Sequence, residues 1–279
     1  MMKHCILVLF TILLCTQLYA QQDSINIYNQ RGEEQTIEDI FQALNGKTHV
    51  FYGELHGVAG AHRMELRLLQ ACDSLFSGRV TLGMEMFEAD VQPIVDEYLN
   101  DIINKRSFEN EARIWTNYDR DYRPLVAYAK EKNIKVVASN IPRRYANMVY
   151  HRGAAALDSL TDWAQAFVAP LPLHIDTNLR SYQEISVMAQ GHNPENMVTS
   201  QAVKDATMAH FILKHTQPDY LFFHINGAYH SDFREGIVYY LQKEIVPEHI
   251  LTITTVKAKD FDKDKASALA KADFVVVVD

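Results

Sequence analysis

Four ionisable side chains follow apolar runs of the sequence that read as buried strands: Glu54, His56, Glu85 and His230. Residues two apart in an extended chain point to the same side, so Glu54 and His56 can face one ligand. A histidine paired with a carboxylate suits acid–base catalysis, and two carboxylates with two imidazoles suit a divalent metal ion. Burying such groups is costly unless they are paired or bind something, so we predict that the four form one polar pocket. The alternative, which the sequence leaves open, is a structural role as buried ion pairs.

The elements that must position these residues alternate between strands and helices. Apolar runs with strand character lie at residues 48–52, 80–86, 134–138, 219–225, 250–256 and 274–278. Helical spacing of apolar residues marks 37–44, 61–76, 90–99 and 121–133. Continuously apolar runs, such as Val275 to Val278, suit a sheet that is covered on both faces. We therefore predict an α/β fold with a mainly parallel central sheet flanked by helices.

Ligands of open α/β sheets bind outside the carboxyl ends of the strands, and here the strands end at polar residues. After Glu54 and Glu85, the third strand ends at Asn140, with Arg143 shortly behind it, and the fourth ends at Asn226. We expect these strand ends to lie along one edge of the sheet.

A helical insert is predicted to cover that edge. The stretch at about residues 145–215 contains no convincing strand and is interrupted by Pro170, Pro172 and Pro194. We predict that it caps the pocket, within a single domain that spans residues 21–279.

The N-terminal segment has the pattern of a secretory signal peptide. Lys3 precedes an apolar run at residues 6–14, and the small residue Ala20 marks the expected cleavage site. A lipid anchor at Cys15 is disfavoured because the residue before it is bulky. We expect an exported protein, periplasmic or tethered facing the periplasm, whose mature chain begins with a polar lead-in and a short helix at residues 21–46.

Composition narrows the classes of function. The 279 residues are 48% hydrophobic and 22% charged, as in ordinary globular proteins. The 35 acidic residues outnumber the 27 basic ones, and a formal charge of −8 argues against electrostatic binding of nucleic acid. Cys72 and His224 are expected to pack in the core. A Gly-x-Ser-x-Gly nucleophile motif and a phosphate-binding loop are both absent from the sequence.

Five segments occur together in an order that is typical of a known family. They are FYGELH at residues 51–56, GMEMF at 83–87, VASNIPR at 137–143, QAVKDATMA at 201–209 and NGAYH at 226–230. Together they resemble the ChaN-like haem-binding lipoproteins, which are grouped distantly with the erythromycin esterases and with the TraB and Tiki proteins. The last segment departs from the common pattern, since Ala228 and Tyr229 separate Gly227 from His230.

The resemblance implies haem held at a homodimer interface, a role in iron acquisition, and outer-membrane haem or iron uptake proteins as partners. It implies tyrosine as the ligand of the haem iron, with histidine close by. The residues beside the matched segments that would contact this cofactor are Tyr122, Asn140, Arg143, Tyr145 and Tyr229. Arg143 and Arg144 would stabilise a phenolate, because arginine keeps its charge when partly buried. Without a Cys-x-x-Cys-His motif, any haem would be bound non-covalently.

Three functions follow from these observations. The first is a haem-binding protein. The second is a hydrolase that uses the cluster of Glu54, His56, Glu85 and His230, either with His56 as general base or with a divalent metal held by all four. The third is a binding or assembly protein in which the cluster only fixes the fold. His62 is not included, because its six-residue distance from His56 fits no standard zinc pair on a helix.

Overall fold

The computed structural model describes residues 25–189 and 193–279, and its strands form one eight-stranded sheet. The predicted signal peptide, with Cys15 and the cleavage site at Ala20, lies outside these described residues. The strands are β1 (Asn26–Asn29), β2 (Glu34–Gln35), β3 (His49–Glu54), β4 (Val80–Glu88), β5 (Lys135–Asn140), β6 (Leu221–Gly227), β7 (Ile250–Lys257) and β8 (Phe274–Val278). Their order across the sheet is β2-β1-β8-β7-β3-β6-β4-β5.

Six of these strands are parallel, which confirms the predicted α/β fold. β3 pairs with β6 and β7, β4 pairs with β5 and β6, and β7 pairs with β8, all in parallel. Every residue of β3, β6 and β8 is buried, which explains why these strands are continuously apolar in the sequence.

The prediction of a polar lead-in at residues 21–46 is wrong in part. β1 pairs antiparallel with β8, and β2 pairs antiparallel with β1, at one edge of the sheet. Only Ile27 of β1 is buried. The polar side chains beside it remain in contact with solvent, while their backbone pairs with the neighbouring strands. An edge strand of this kind lacks the apolar run that marks the central strands.

Helices cover both faces of the sheet. They are α1 (Ile37–Ala43), α2 (Ala59–Leu75), α3 (Gln92–Leu99), α4 (Lys105–Glu111), α5 (Tyr118–Asp121), α6 (Arg123–Lys132), α7 (Arg143–Arg152), α8 (Asp162–Gln165), α9 (Arg180–Met188), α10 (Pro194–His215), α11 (Ile237–Leu241), α12 (Ala258–Lys263) and α13 (Lys265–Leu269). Short 3₁₀ turns occupy Ala89–Val91, Ala154–Ser159, Ala228–His230, Asp232–Arg234 and Pro247–His249.

Alternate residues of the central strands feed two separate cores. Val50 and Tyr52 of β3 belong to the core that contains Leu68 of α2. Phe51, between them, belongs to the core that contains Ile212 of α10. This period of two is what a pleated strand imposes, and it gives the layered arrangement of helix, sheet and helix. Cys72 and His224 are buried, as predicted.

The predicted end of the second long strand needs correction. β4 does not end at Glu85 but continues to Glu88, and its register with β5 shifts between Met84 and Glu88. Such an irregularity bends a strand and redirects the side chains within it. Glu85 lies inside this segment, directly beside the end of β6.

The predicted insert at 145–215 consists of helices and irregular segments in its described part, and it packs onto the sheet rather than forming a separate cap. α7 begins earlier, at Arg143, and Pro194 starts α10 rather than breaking a helix, since proline is well tolerated in the first turn. The second half of α10 packs against the sheet through Met208 and Ile212. Only its first half, with α7 and α9, covers the carboxyl end of the sheet. None of the helices in the described ranges combines the length and apolar character needed to cross a bilayer.

Candidate functional site

The carboxyl ends of β3, β4, β5 and β6 meet at one pocket of about 720 Å³. The strand registers place Glu54 beside Gly227 and Glu88 beside Asn140. The pocket is lined by the predicted residues Glu54, His56, Glu85, Asn140, Arg143, Tyr229 and His230, together with residues of α7, α9 and α10. Asn226 instead is fully buried and holds the turn after β6, donating to the Gly227 carbonyl and to Ser231 Oγ at 3.0 Å each.

Glu54 orients His56 at the floor of this pocket. His56 Nδ1 lies 2.5 Å from Glu54 Oε1, and Tyr122 donates its hydroxyl to the same oxygen at 2.6 Å. The Glu54 side chain is fully buried, whereas 48% of the His56 side chain is exposed. Because Nδ1 is held by the carboxylate, Nε2 is the nitrogen that faces the pocket.

The surroundings of His56 favour its charged form. Burial alone would lower its pKa, but the hydrogen bond to Glu54 and the negative charge of Glu85 outweigh burial and raise it. Gly227 allows the imidazole to approach, since a Cβ at this position would lie 2.8 Å from His56 Nε2. The Trp115 ring packs edge-on against the imidazole, with 5.1 Å between ring centroids.

Glu85 and His230 form a second pair, which is buried. His230 Nε2 lies 3.2 Å from Glu85 Oε1, and the Gly227 amide donates to Glu85 Oε2 at 2.7 Å. Burial would raise the pKa of Glu85, yet His230, His56 and the Gly227 amide together lower it to about 2. Glu85 is therefore a charged residue whose negative charge is compensated inside the protein.

Asp205, which the sequence did not single out, completes the second pair. It is fully buried on α10, hydrogen-bonds His230 Nδ1, and accepts the Tyr182 hydroxyl at 2.8 Å. Gln201, one turn earlier, places its amide 3.0 Å from the same nitrogen. His230 thus has a carboxylate at each ring nitrogen, which is the environment of an imidazolium.

We expect the free energy of unfolding to fall as the pH rises from about 6.5 to about 10. Burial lowers the pKa of His230, but Glu85 and Asp205 outweigh it and raise the pKa from 6.5 to about 10. A raised pKa in the folded state contributes stability below pH 6.5, and this is lost as pH rises through the folded value. Urea unfolding at pH 6.5 and pH 9.5 should differ by several kcal/mol. The difference should persist in His56→Gln, and equal stability at both pH values would contradict the buried imidazolium.

The three predicted tyrosines occupy different environments. Tyr229 lines the pocket with 41% of its surface exposed, and its hydroxyl lies 3.5 Å from Met188 Sδ. Tyr122 is fully buried behind Glu54, and Tyr145 packs under Arg144 away from the pocket. The expectation that Tyr122 and Tyr145 contact a pocket ligand is therefore not met in this structure. Tyr150, which was not predicted, does line the pocket.

Two cations at the pocket have side chains without an ionic partner among the described residues. Arg143 and Lys204 line it, and neither side chain makes an ion pair or hydrogen bond with any described residue. Asn140 presents a buried Oδ1 that also lacks a hydrogen-bond partner there. Arg144, by contrast, is paired with Asp90 at 2.7 Å and is not free to stabilise a ligand in the pocket.

The predicted metal ligands are already engaged with one another. Glu54 holds His56, and Glu85 holds His230, so His56 Nε2 is the ring nitrogen left without a carboxylate partner. Within the described part of the chain, a different group has donor atoms within 4.8 Å of one another: Glu54, His62 and Glu65.

Solved structures of other proteins share the fold of this chain. A solved structure titled "Cofacial heme binding to ChaN of Campylobacter jejuni" matches with a TM-score of 0.70 and 17% identity, covering 93% of this chain and 98% of that one. An erythromycin esterase mutant, EreC in its open conformation, matches with a TM-score of 0.54 and 12% identity, covering 91% and 97%. At these identities both matches show the fold alone. No curated protein sequence matches the chain.

A family model covers most of the chain. The model described as "Haem-binding uptake, Tiki superfamily, ChaN" matches residues 40–241, which run from α1 to the end of α11 and include every pocket residue named above. The chain belongs to this ChaN family of haem-binding uptake proteins.

Proposed function

We propose that this protein binds haem non-covalently in the pocket at the carboxyl ends of β3 to β6, with Tyr229 as the iron ligand. The observation that carries the proposal is the accessibility of Tyr229, whose phenol is the one of the three predicted tyrosines that a pocket ligand can reach. Phenolate is an established haem ligand, and the volume of about 720 Å³ lies within the range of small-molecule sites. Membership of a haem-binding family supports the same ligand.

The pocket walls suit the two chemical parts of haem. Met86, Ile141 and Met197 supply apolar surface for a porphyrin ring. Arg143 and Lys204 supply positive charge for its carboxylate side chains. Because neither cation has a partner among the described residues, a carboxylate that binds them displaces no existing ion pair.

The Tyr229 phenol must lose its proton to bind ferric iron, since an unperturbed phenol has a pKa of about 10. Lys271 Nζ lies 5.7 Å from the centroid of the Tyr229 ring and is itself paired with the buried carboxylate of Asp232. Direct bonding to ferric iron is what would stabilise the anion. The Lys271 ammonium, rather than the predicted Arg144, is the cation beside this tyrosine.

We expect Tyr229→Phe to bind haemin without the ferric phenolate charge-transfer band of the wild type. The substitution removes only the oxygen, so the apolar contacts of the ring remain and folding is preserved. Tyr145→Phe is the matched control, because its hydroxyl contacts Arg144 outside the pocket, and it should keep the wild-type spectrum. Visible titration of the three proteins makes the comparison. A band that survives in Tyr229→Phe would assign the iron to another residue.

We further propose that the protein is exported and serves haem or iron acquisition as a homodimer, with uptake proteins of the outer membrane as partners. The signal-like N-terminus motivates the location. The exposed side chain of Met188 beside Tyr229, together with its exposed neighbour Val187, motivates the dimer, since a second copy would cover them. Sedimentation with and without haemin tests the dimer, and fractionation of expressing cells tests the export.

A second candidate function is hydrolysis with His56 as general base. The specific observation is the pairing of a half-exposed imidazole with a buried carboxylate that fixes its orientation. His56 Nε2 faces the pocket, where it can take a proton from water that attacks a bound ester. The raised pKa of His56 means that the base form is available only above that pKa, so the rate should rise with pH.

An activated aryl ester tests this second function. The wild type should hydrolyse it about 100-fold faster than His56→Gln, which is the lower end of the usual contribution of a general base. The reaction should proceed without haemin, and haemin that occupies the same pocket should inhibit it. Equal rates for the two proteins would exclude His56 as a general base.

A further inference from the structure

Behind Glu54, on the side away from the pocket, lies a second polar cluster that neither function uses. Helix α2 contributes His62 and Glu65, which share one helix face because they are three residues apart. His62 Nδ1 lies 3.1 Å from Glu65 Oε2 and 3.3 Å from Glu54 Oε2. On the other side of the ring, His62 Nε2 lies 3.3 Å from Asp121 Oδ2. All four side chains are buried.

Two carboxylate oxygens in this cluster have no hydrogen-bond partner. They are Glu54 Oε2 and Glu65 Oε1, in side chains that are 1% and 0% exposed. A buried carboxylate oxygen without a partner is costly, and two of them in one cluster indicate an occupant that is positively charged.

The cations beside this cluster are engaged elsewhere. Arg120 contacts Asp121 at 2.6 and 2.7 Å, and His56 contacts Glu54 through Oε1 rather than Oε2. Glu65 is paired with no arginine or lysine among the described residues, so the two oxygens need either a proton between them or a bound cation.

We propose that Glu54, His62 and Glu65 bind a first-row divalent cation of the Mn²⁺, Fe²⁺ or Zn²⁺ class, in a closed site separate from the pocket. Their donor atoms lie within 4.8 Å of one another, so one ion can contact all three. One imidazole with two carboxylates suits these metals, whereas an all-oxygen site would suit Ca²⁺ or Mg²⁺.

Metal binding through Nδ1 requires His62 to carry its proton on Nε2, and Asp121 lies close enough to accept that proton in a hydrogen bond. An ion at Nδ1 leaves the proton on Nε2, which then donates to Asp121, the usual arrangement of a ligating histidine. Without an ion, the Gly57 amide donates to Nε2 at 3.2 Å, which requires the proton to be on Nδ1, and binding of an ion at Nδ1 would release this bond. The residues around Nε2 thus offer a partner for either tautomer.

The consequence of such an ion is a fixed position for Glu54. One of its oxygens binds the ion, and the other holds His56 in the pocket. The ion also ties the end of β3 to helix α2. Glu65 is then a residue that positions His56 through Glu54, without touching the pocket ligand.

Metal content tests the proposal on the intact protein. Wild type equilibrated with Mn²⁺ or Zn²⁺ and freed of excess metal should retain about one ion per chain. Glu65→Gln, which keeps the shape and removes the charge, should retain none. Glu85→Gln is the matched control, because it removes a buried glutamate of the pocket, and it should keep the ion. Circular dichroism verifies that each variant is folded.

Two results would overturn the proposal, and a third would remove one residue from it. Wild type that retains no ion would mean that the two carboxyls share a proton instead. Loss of the ion from Glu85→Gln, but not from Glu65→Gln, would place the metal in the pocket. Asp121→Asn should weaken binding about tenfold or more through His62, and an unchanged affinity would remove the role assigned to Asp121. None of these measurements depends on haem, so the ion and the haem proposals fail separately.

Discussion

Asp205→Ala is expected to lower the free energy of unfolding by about 3–5 kcal/mol, the usual cost of removing one partner from a buried ion pair. Asp205 is fully buried and contacts both His230 Nδ1 and the Tyr182 hydroxyl. Its removal leaves a buried imidazolium with one carboxylate instead of two. It also leaves a buried hydroxyl without its acceptor, which adds to the cost.

Urea unfolding measures this effect, with the exposed Asp158→Ala as the control for loss of a negative charge. The control should change stability by less than about 0.5 kcal/mol, as surface substitutions usually do. A loss below about 1 kcal/mol in Asp205→Ala would mean that His230 is neutral and that its two carboxylate contacts contribute little to stability.

Gly227→Ala is expected to weaken haem binding about tenfold or more while the protein stays folded, since displacing one close contact costs about 1–3 kcal/mol. The added methyl would lie 2.8 Å from His56 Nε2 and 3.0 Å from His56 Cε1. His56 must swing away from Glu54 into the space of the ligand. Gly227 has an ordinary backbone conformation with φ at −58°, so alanine adds no backbone strain there.

The matched control is Gly60→Ala, a buried glycine on α2 where a methyl would meet Val278 at 3.3 Å, far from the pocket lining. It should bind haemin as the wild type does. If hydrolysis is the activity, Gly227→Ala should lower the ester rate in the same way, because His56 loses its orientation. Normal haemin binding by Gly227→Ala would mean that the ligand does not occupy the floor of the pocket.

The sequence predicted the central sheet because buried parallel strands carry continuous apolar runs, as in Val275 to Val278. It predicted Glu54, His56, Glu85 and His230 as neighbours for a related reason, since parallel strands deliver their last residues to one edge. It missed β1, because an edge strand with one buried side chain carries no such run.

The other site residues lie on helices. The positions of the strand ends do not show which face of a helix is turned toward the site. Asp205 lies on the buried stripe of α10 between Ala202 and Ala209, and an acidic residue in an apolar stripe was the signal that could have found it. His62 and Glu65 lie on the buried stripe of α2 in the same way. Spacing from His56 along the chain could not reveal them, because their partner is Glu54.

The sequence could not show which predicted tyrosine faces the pocket, for the same reason. Tyr122 and Tyr229 both stand beside matched segments, yet one supports Glu54 from behind and the other faces the pocket. Which side of its element a tyrosine occupies was decided by packing: Tyr122 is fully buried against the ring of His62.

A haemin titration of the wild-type protein, followed in the visible range, tests whether the pocket binds haem. We expect saturable binding with a ferric phenolate charge-transfer band, at a haemin concentration where an unrelated protein of similar net charge shows neither. Absence of saturable binding above that of the unrelated protein would contradict the haem proposal and would leave hydrolysis through His56 as the function that the pocket supports.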